Sequence, residues 1–233
     1  MKGNFMKLFG MYGVILITQI SCHSANYQQP KGVIEDLIPS EYQKTPFTQQ
    51  NVEITKKAYG FRYIFSSPSN EWYEWKWKYK RVETNEMIKK FGMPQSIFEP
   101  YPATKKNVRL RNQVIKKSFF KEEGNILYPD FNRMIPFYMG FTSPLYALTI
   151  KTLGKGSTPR ERVEFLLRFV QDIPYGIPPT QSNSKVISGI LSPPQIFIEK
   201  WGDCDSKVLL ISSILAHEPR YKILLVYLEN HLL

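Results

Sequence analysis

The nine residues WYEWKWKYK at positions 72–80 constrain the fold most strongly, because aromatic and charged side chains alternate there without interruption. Successive side chains of a β-strand point to opposite faces of a sheet, so this period of two predicts a strand with one buried and one solvated face. The same period covers about residues 52–82. Interleaved aromatics and lysines can also bind single-stranded nucleic acid or sugar. A sheet face explains the alternation without such a ligand.

A helix is predicted from Pro159 to about Asp172. Thr158 is a suitable N-cap, proline fits the first helical position, and Glu161 completes a capping box. Ile173 and a following proline should end this helix. Its buried stripe is predicted at helical spacing, with the members Val163, Leu166, Leu167 and Val170.

The regions around this helix carry weaker signals. Short helices are predicted near residues 85–91 and 144–153, the first of which should stop at Gly92. Residues 174–194 are rich in proline and glycine and lack periodicity, which is typical of a binding loop or a lid.

The N-terminal residues 1–22 resemble an export signal. Two lysines precede an uncharged apolar run over residues 8–20, and Ser21 and Cys22 follow it. The run is too short to span a bilayer easily, and its end resembles a bacterial lipoprotein site at which Cys22 is lipidated. A buried N-terminal helix is the alternative. Residues 23–50 are polar and aperiodic, which suits a tether.

The charge balance indicates what kind of partner is available. The chain carries a formal net charge of +11, which falls to +9 without residues 1–22, because these contain two lysines and no acid. For an exported protein in the cell envelope, anionic phospholipid, a cell-wall polymer or an acidic protein is a more available partner than nucleic acid. We therefore expect membrane attachment through the lipid anchor and no nucleic acid.

The second cysteine, Cys204, lies in EKWGDCDSKVLLISSIL at residues 199–215. Acylation of Cys22 would exclude a disulfide and leave Cys204 as the single thiol. A helix is predicted over about residues 204–216, with Gly202 before it and Asp203 as its N-cap. The positive end of a helix stabilises a thiolate, whereas the carboxylates of Asp203 and Asp205 oppose it.

A histidine is the usual cationic partner of a reactive cysteine, and the chain has three histidines. His23 lies in the tether, and His217 lies about 20 Å along the helix at roughly 1.5 Å per residue. His231 follows a predicted strand over residues 221–228 and begins an adjacent antiparallel strand. Cys204 could equally be a small core residue and His231 an exposed turn residue.

Metal-ligand spacings and a complete phosphate loop are absent from the sequence, so no metal or cofactor is expected.

Three segments, FVQDIPYG at 169–176, SPPQIFIEKWGDCDSKVLLISSIL at 192–215 and YKILLVYLENHLL at 221–233, resemble the transglutaminase-like superfamily, especially its bacterial cysteine-peptidase-like members. The resemblance implies an α+β fold with a papain-like core. It makes Cys204 the nucleophile, with its backbone N–H in an oxyanion hole, and His231 the base. Gln171 and Tyr175 become oxyanion or pocket residues. The aspartate that orients the histidine in the family has no position here, since the chain ends two residues after His231, and we expect a truncated or degenerate core.

The resemblance also implies a division of the chain and an activity. Residues 51–150 would form an N-terminal β-containing extension, and residues 151–233 the incomplete core. The implied activity is thiol-dependent hydrolysis or acyl transfer on a protein or peptide substrate, through a cysteine thioester and without a cofactor. The alternative is a non-catalytic envelope binding or scaffold module that keeps a degenerate core.

Overall fold

The computed structural model describes residues 14–16, 49–67, 69, 71–98, 104–123, 126–228 and 231–232. Its helices are α1 Arg81–Lys90, α2 Lys105–Lys117, α3 Phe131–Leu153, α4 Pro159–Gln171, α5 Pro193–Glu199 and α6 Cys204–Leu215. Its strands are β1 Val14–Leu16, β2 Gln49–Ile54, β3 Ala58–Ser66, β4 Trp72–Lys80, β5 Met93–Pro94, β6 Phe120–Glu123, β7 Ile126–Pro129, β8 Gln181–Ser182, β9 Lys185–Val186, β10 Lys222–Leu224, β11 Tyr227–Leu228 and β12 His231–Leu232. This mixture of helices and small, mainly antiparallel sheets agrees with an α+β class.

The largest sheet is the antiparallel meander β2-β3-β4. β4 is the strand predicted from the alternating sequence, and its two central tryptophans, Trp75 and Trp77, are buried. Across the register they face Tyr63 and Phe61 of β3, which are buried as well. The lysines that alternate with the aromatic residues, Lys76, Lys78 and Lys80, are exposed. The prediction of a half-buried strand is therefore confirmed.

Helix α4 begins and ends within a residue of the predicted bounds. The predicted capping box is present: the Glu161 carboxylate accepts from the Thr158 backbone N–H at 2.6 Å, and the Thr158 hydroxyl accepts from the Glu161 N–H at 3.2 Å. The predicted stripe is buried apart from Leu167, which is partly exposed. The stripe is also wider than predicted, because Phe165 and Phe169 are buried against the sheet.

An aromatic cluster joins the meander to the helices. The Phe169 ring lies 4.8 Å from the Trp75 ring and 5.1 Å from the Phe65 ring, measured between centroids. From α5, Phe197 contacts Phe61 at 5.8 Å. The N-terminal sheet and the helices that follow residue 150 thus share one hydrophobic core, and the predicted division at residues 150 and 151 falls inside α3.

Helix α3 is much longer than the predicted helix over residues 144–153. It runs through Pro136 and Pro144, although an internal proline removes a hydrogen bond and costs about 3 kcal/mol. Burial of apolar side chains on the extra turns, among them Met134, Tyr138 and Phe141, offsets that cost.

The remaining regions differ in part from their predictions. The first short helix is α1, which begins four residues earlier than predicted and is followed by Gly92 in a left-handed conformation. The predicted loop over residues 174–194 contains β8 and β9, which pair in a small sheet with β5.

The predicted signal and tether lie almost wholly outside the described residues. β1, from within the signal, pairs in parallel with β10, while Cys22 and His23 are outside the described part. None of the described helices combines the length and the apolar content that crossing a bilayer requires.

Candidate active site

Cys204 is the first residue of α6 and is buried. Asp203 caps the helix as predicted: its carboxylate accepts from the Ser206 backbone N–H at 3.0 Å. The Ser206 hydroxyl donates to the same carboxylate and accepts from the Leu191 N–H at 2.8 Å, which fixes the cap to the preceding loop. The predicted helix start and its cap are confirmed.

Helix α6 is central to the fold rather than amphipathic. The predicted inward face is buried, with Val208, Ile211 and Leu215, but every other residue from Ser206 to Leu215 is buried too. Helix α3 packs along it, and the Thr142 hydroxyl of α3 donates to the Ser213 carbonyl at 2.9 Å. A helix that is buried all round places its first turn at a fixed point of the core.

The segment that contains Gln171 and Tyr175 lies beside the start of α6. Tyr175 and Gly202 form an isolated parallel bridge. The Gly202 N–H donates to the Pro174 carbonyl at 3.1 Å, and the Gly176 N–H donates to the Gly202 carbonyl at 3.4 Å. Tyr175 therefore pairs with the residue two positions before Cys204, whereas Gln171 is exposed at the end of α4.

Lys207 of α6 fixes the segment that contains Gln171 and Tyr175 to this helix. The sequence did not predict this role of Lys207. Its ammonium group is buried and donates to the Ile173 carbonyl at 2.5 Å and to the Gln171 carbonyl at 3.4 Å. Burial lowers the pKa of Lys207 to about 8, while the nearby charges of Asp203 and Asp172 act in the opposite direction. The available signal was a lysine directly followed by four apolar residues, Val208 to Ile211, since a lysine inside such a helix needs buried acceptors.

The pKa of Asp203 is raised to about 7, first by burial and then by the charge of Asp205. Near neutral pH this carboxyl is consequently protonated in a substantial fraction of molecules. A protonated Asp203 carries no negative charge, so it opposes a thiolate at the helix start less strongly than the ionised carboxylate expected from the sequence.

The hairpin predicted around His231 is present. β11 and β12 pair antiparallel, with Leu228 opposite His231, and the backbone of β12 lies against α6. The preceding strand is not continuous as predicted, because it is divided into β10 and β11. The placement of the His231 side chain lies outside what the structure describes.

His217 lies two residues beyond the C-terminal end of α6 and is held there by interactions of its own. Its Nε2 lies 2.8 Å from the Met139 carbonyl, and its ring stacks on Tyr146 at 5.4 Å. Met139 and Tyr146 belong to α3. Because α6 begins at Cys204 and ends before His217, the full length of this helix separates the two residues, which confirms the prediction that His217 cannot reach Cys204.

The oxidation state of Cys204 differs from the expectation of a single thiol. Cys204 is disulfide-bonded, and the described residues include no free cysteine. The expectation assumed that acylation had removed Cys22, the other cysteine of the chain. A disulfide is the usual state of a paired cysteine in an oxidising compartment.

The described residues include no group of three or more histidine, cysteine, aspartate or glutamate side chains that could hold a metal ion.

A shallow depression of about 540 Å³ lies along α2, lined by Lys105, Val108, Arg109, Asn112, Gln113 and Lys116. All of its lining residues belong to α2, and none belongs to α6 or to the segment that contains Gln171 and Tyr175.

Replacing Gly176 with alanine should disturb the site through packing. An added Cβ would lie 2.5 Å from Cε3 of Trp201, whose ring is buried and has little room to move. We expect a loss of about 1–3 kcal/mol in unfolding free energy, measured by chemical denaturation. The control is Gly140→Ala in α3, where an added Cβ meets nothing within 4 Å and helix propensity predicts stabilisation of up to about 1 kcal/mol. Equal effects in the two variants would contradict the packing argument.

Comparisons of the chain with protein-family models, with curated proteins and with solved structures gave no match. The fold class therefore rests on the described helices and sheets. The transglutaminase-like assignment rests on the three sequence segments that resemble the superfamily.

Proposed function

We propose that the protein is a transglutaminase-like thiol enzyme that hydrolyses amide or peptide bonds, or transfers their acyl groups, with reduced Cys204 as nucleophile. In this proposal α6 and the hairpin β11-β12 form the beginning of a papain-like core. The observation that carries it is the juxtaposition at α6: a cysteine opens a buried helix, and the strand that contains His231 lies against the same helix.

Two further features support the proposal. The first N–H groups of a helix have no intrahelical acceptor, and they can donate to an oxyanion beside Cys204. The segment that contains Tyr175 is held beside this helix start in two ways. It forms a bridge with Gly202, and the Ile173 carbonyl accepts a hydrogen bond from Lys207. A substrate acyl group bound there would meet groups that are already fixed in position.

The chemistry requires reduction first, because Cys204 is disulfide-bonded. A dithiol reductant is oxidised to its own disulfide, and the protein S–S bond becomes two thiols. The Cys204 thiolate then adds to the carbonyl carbon, the C–N bond breaks, and the His231 imidazolium donates a proton to the leaving amine. Water attack on the thioester releases a carboxylic acid and restores the thiol, whereas attack by an amine forms a new amide.

The second candidate function is a non-catalytic envelope binding or scaffold module, and the disulfide at Cys204 favours it. A sulfur in a disulfide is not a nucleophile, so the oxidised chain would keep the core as a scaffold. The export signal over residues 1–22 and the tether over 23–50 remain predictions under both candidates. Lipidation at Cys22 is compatible only with the first candidate, because acylation of Cys22 would exclude a disulfide.

Thiol reactivity tests the enzyme proposal without a known substrate. In the full chain carrying Cys22→Ser, Cys204 is the only cysteine, and its alkylation by iodoacetamide can be followed by mass spectrometry across pH. We expect half-maximal rate at about pH 7.5 or below, and a shift toward the ordinary thiol value of about 8.5 when His231→Ala is added. His217→Ala is the matched control and should leave the profile unchanged. A profile at about 8.5 in all variants would refute the activated nucleophile.

Turnover distinguishes the two candidate functions. Reduced protein is incubated with carboxamide-containing peptides and a fluorescent primary amine, and amine incorporation and ammonia release are measured. We expect Cys204→Ser to lower either rate at least about 100-fold, because the covalent step is lost. Peptide binding that survives in Cys204→Ser, with no turnover in the reduced parent, would support the binding module instead.

A further inference from the structure

The outward face of α2 is unusually basic. The helix contains six lysine or arginine residues and no acid. Five of them are exposed: Lys105, Lys106, Arg109, Lys116 and Lys117. Within the part of the chain that the structure describes, none of these five side chains forms an ion pair, so their charge is not neutralised by the protein.

The opposite side fixes the helix in place. Ile115 is buried, and the Arg111 guanidinium pairs with the Glu122 carboxylate of β6 at 2.7 Å and lies over the Phe98 ring at 5.4 Å. The sixth basic residue therefore attaches α2 to the protein body. The orientation of the helix is set by these contacts, and the other five basic residues face solvent.

Two apolar side chains flank the basic face. Val108 is 46% exposed and Leu110 is 55% exposed. On a helical projection, Lys105, Arg109 and Lys116 lie along one stripe about 16 Å long, at 1.5 Å per residue, with Val108 on one side and Leu110 on the other. The result is a fixed basic surface with an apolar side chain at each edge.

We propose that this α2 surface binds an anionic phospholipid membrane. Lysine and arginine near such a surface each contribute about fivefold to affinity, and flanking apolar side chains can enter the interface between headgroups and acyl chains. Nucleic acid fits less well, because α2 contains no aromatic side chain on which a base could stack. This inference does not depend on the proposed thiol chemistry, and it concerns a different surface from the N-terminal lipid anchor.

Vesicle flotation tests the proposal with the full chain. The test variant is Lys105→Gln/Arg109→Gln/Lys116→Gln. The matched control is Lys56→Gln/Lys57→Gln/Lys78→Gln, which removes the same charge from exposed lysines elsewhere. Vesicles contain phosphatidylcholine alone or mixed with phosphatidylglycerol. Both variants retain residues 1–22, so any membrane affinity of that segment is common to them.

We expect binding that requires phosphatidylglycerol, weakens with salt, and falls on the order of 100-fold in the α2 variant. The control variant should lose much less, and Val108→Ser/Leu110→Ser should weaken the binding that persists at high salt. Equal losses in the two triple variants would overturn the proposal, because the attraction would then come from net charge. A DNA duplex that binds through α2 while anionic vesicles do not bind would overturn it as well.

Discussion

Replacing Phe169 with alanine should lower the free energy of unfolding by about 3–5 kcal/mol. The Phe169 side chain is fully buried, and its ring lies within 5.1 Å of three other rings, those of Tyr63, Phe65 and Trp75. Truncation removes these contacts and leaves a cavity between α4 and the meander. Chemical denaturation followed by tryptophan fluorescence and by circular dichroism measures the loss.

The matched control is Trp72→Ala at the start of β4. It also deletes a large aromatic ring, but the Trp72 side chain is 57% exposed. We expect a much smaller loss, because little apolar area returns to water. A loss at Trp72 equal to that at Phe169 would show that aromatic content, and not the cluster, determines stability.

Replacing Glu218 with glutamine should cost about 3 kcal/mol, because it leaves a buried guanidinium without its carboxylate. Arg162 and Glu218 are each only 7% exposed at the side chain, and their closest N–O distance is 2.9 Å. Arg220 and the Tyr146 hydroxyl donate to the same carboxylate. Arg162 keeps two carbonyl acceptors in residues 155 and 157, which limits the loss.

The same substitution should change the response to acid. Hydrogen bonds from Arg220, followed by its charge, lower the pKa of Glu218 to about 2 from 4.5. A carboxyl whose pKa is lower in the folded state stabilises the protein above pH 4.5, and this stabilisation is lost as the pH falls toward 2. In Glu218→Gln this part of the pH dependence should be absent when unfolding free energy is measured from pH 7 downward.

Glu164→Gln is the control for the charge change. Glu164 pairs with Arg160 on the exposed side of α4, and exposed pairs contribute little. The double variant Arg162→Met/Glu218→Leu should recover much of the lost stability, since it removes both buried charges. Failure of the double variant to recover any stability would contradict the buried-charge explanation.

Local signals predicted β4, α4 and the start of α6, because each depends on neighbours in sequence. Alternation defines β4, Thr158 with Glu161 defines the first turn of α4, and Asp203 caps α6. These interactions form within a few residues, so the sequence alone contains them. The hairpin before His231 was predicted from turn chemistry in the same way.

The features that the sequence did not reveal depend on distant partners. Helix α3 continues through Pro136 because its other side chains are buried by elements far along the chain. Lys207 is held by carbonyls more than thirty residues earlier, and Tyr175 meets Gly202 only because both pack beside α6. Within the site, the positions of the capping and helical residues were thus predictable. The contacts of Lys207 and of Tyr175 with distant parts of the chain were not.

The aromatic cluster makes the two halves of the chain dependent on each other. The buried face of β3 and β4 packs against α3, α4 and α5, and α4 in turn would expose Phe165 and Phe169 without the sheet. A fragment that begins near residue 151 would therefore present these rings to water and to neighbouring molecules. Proteolytic removal of the N-terminal half would be expected to yield an aggregating fragment and not an isolated folded domain around Cys204.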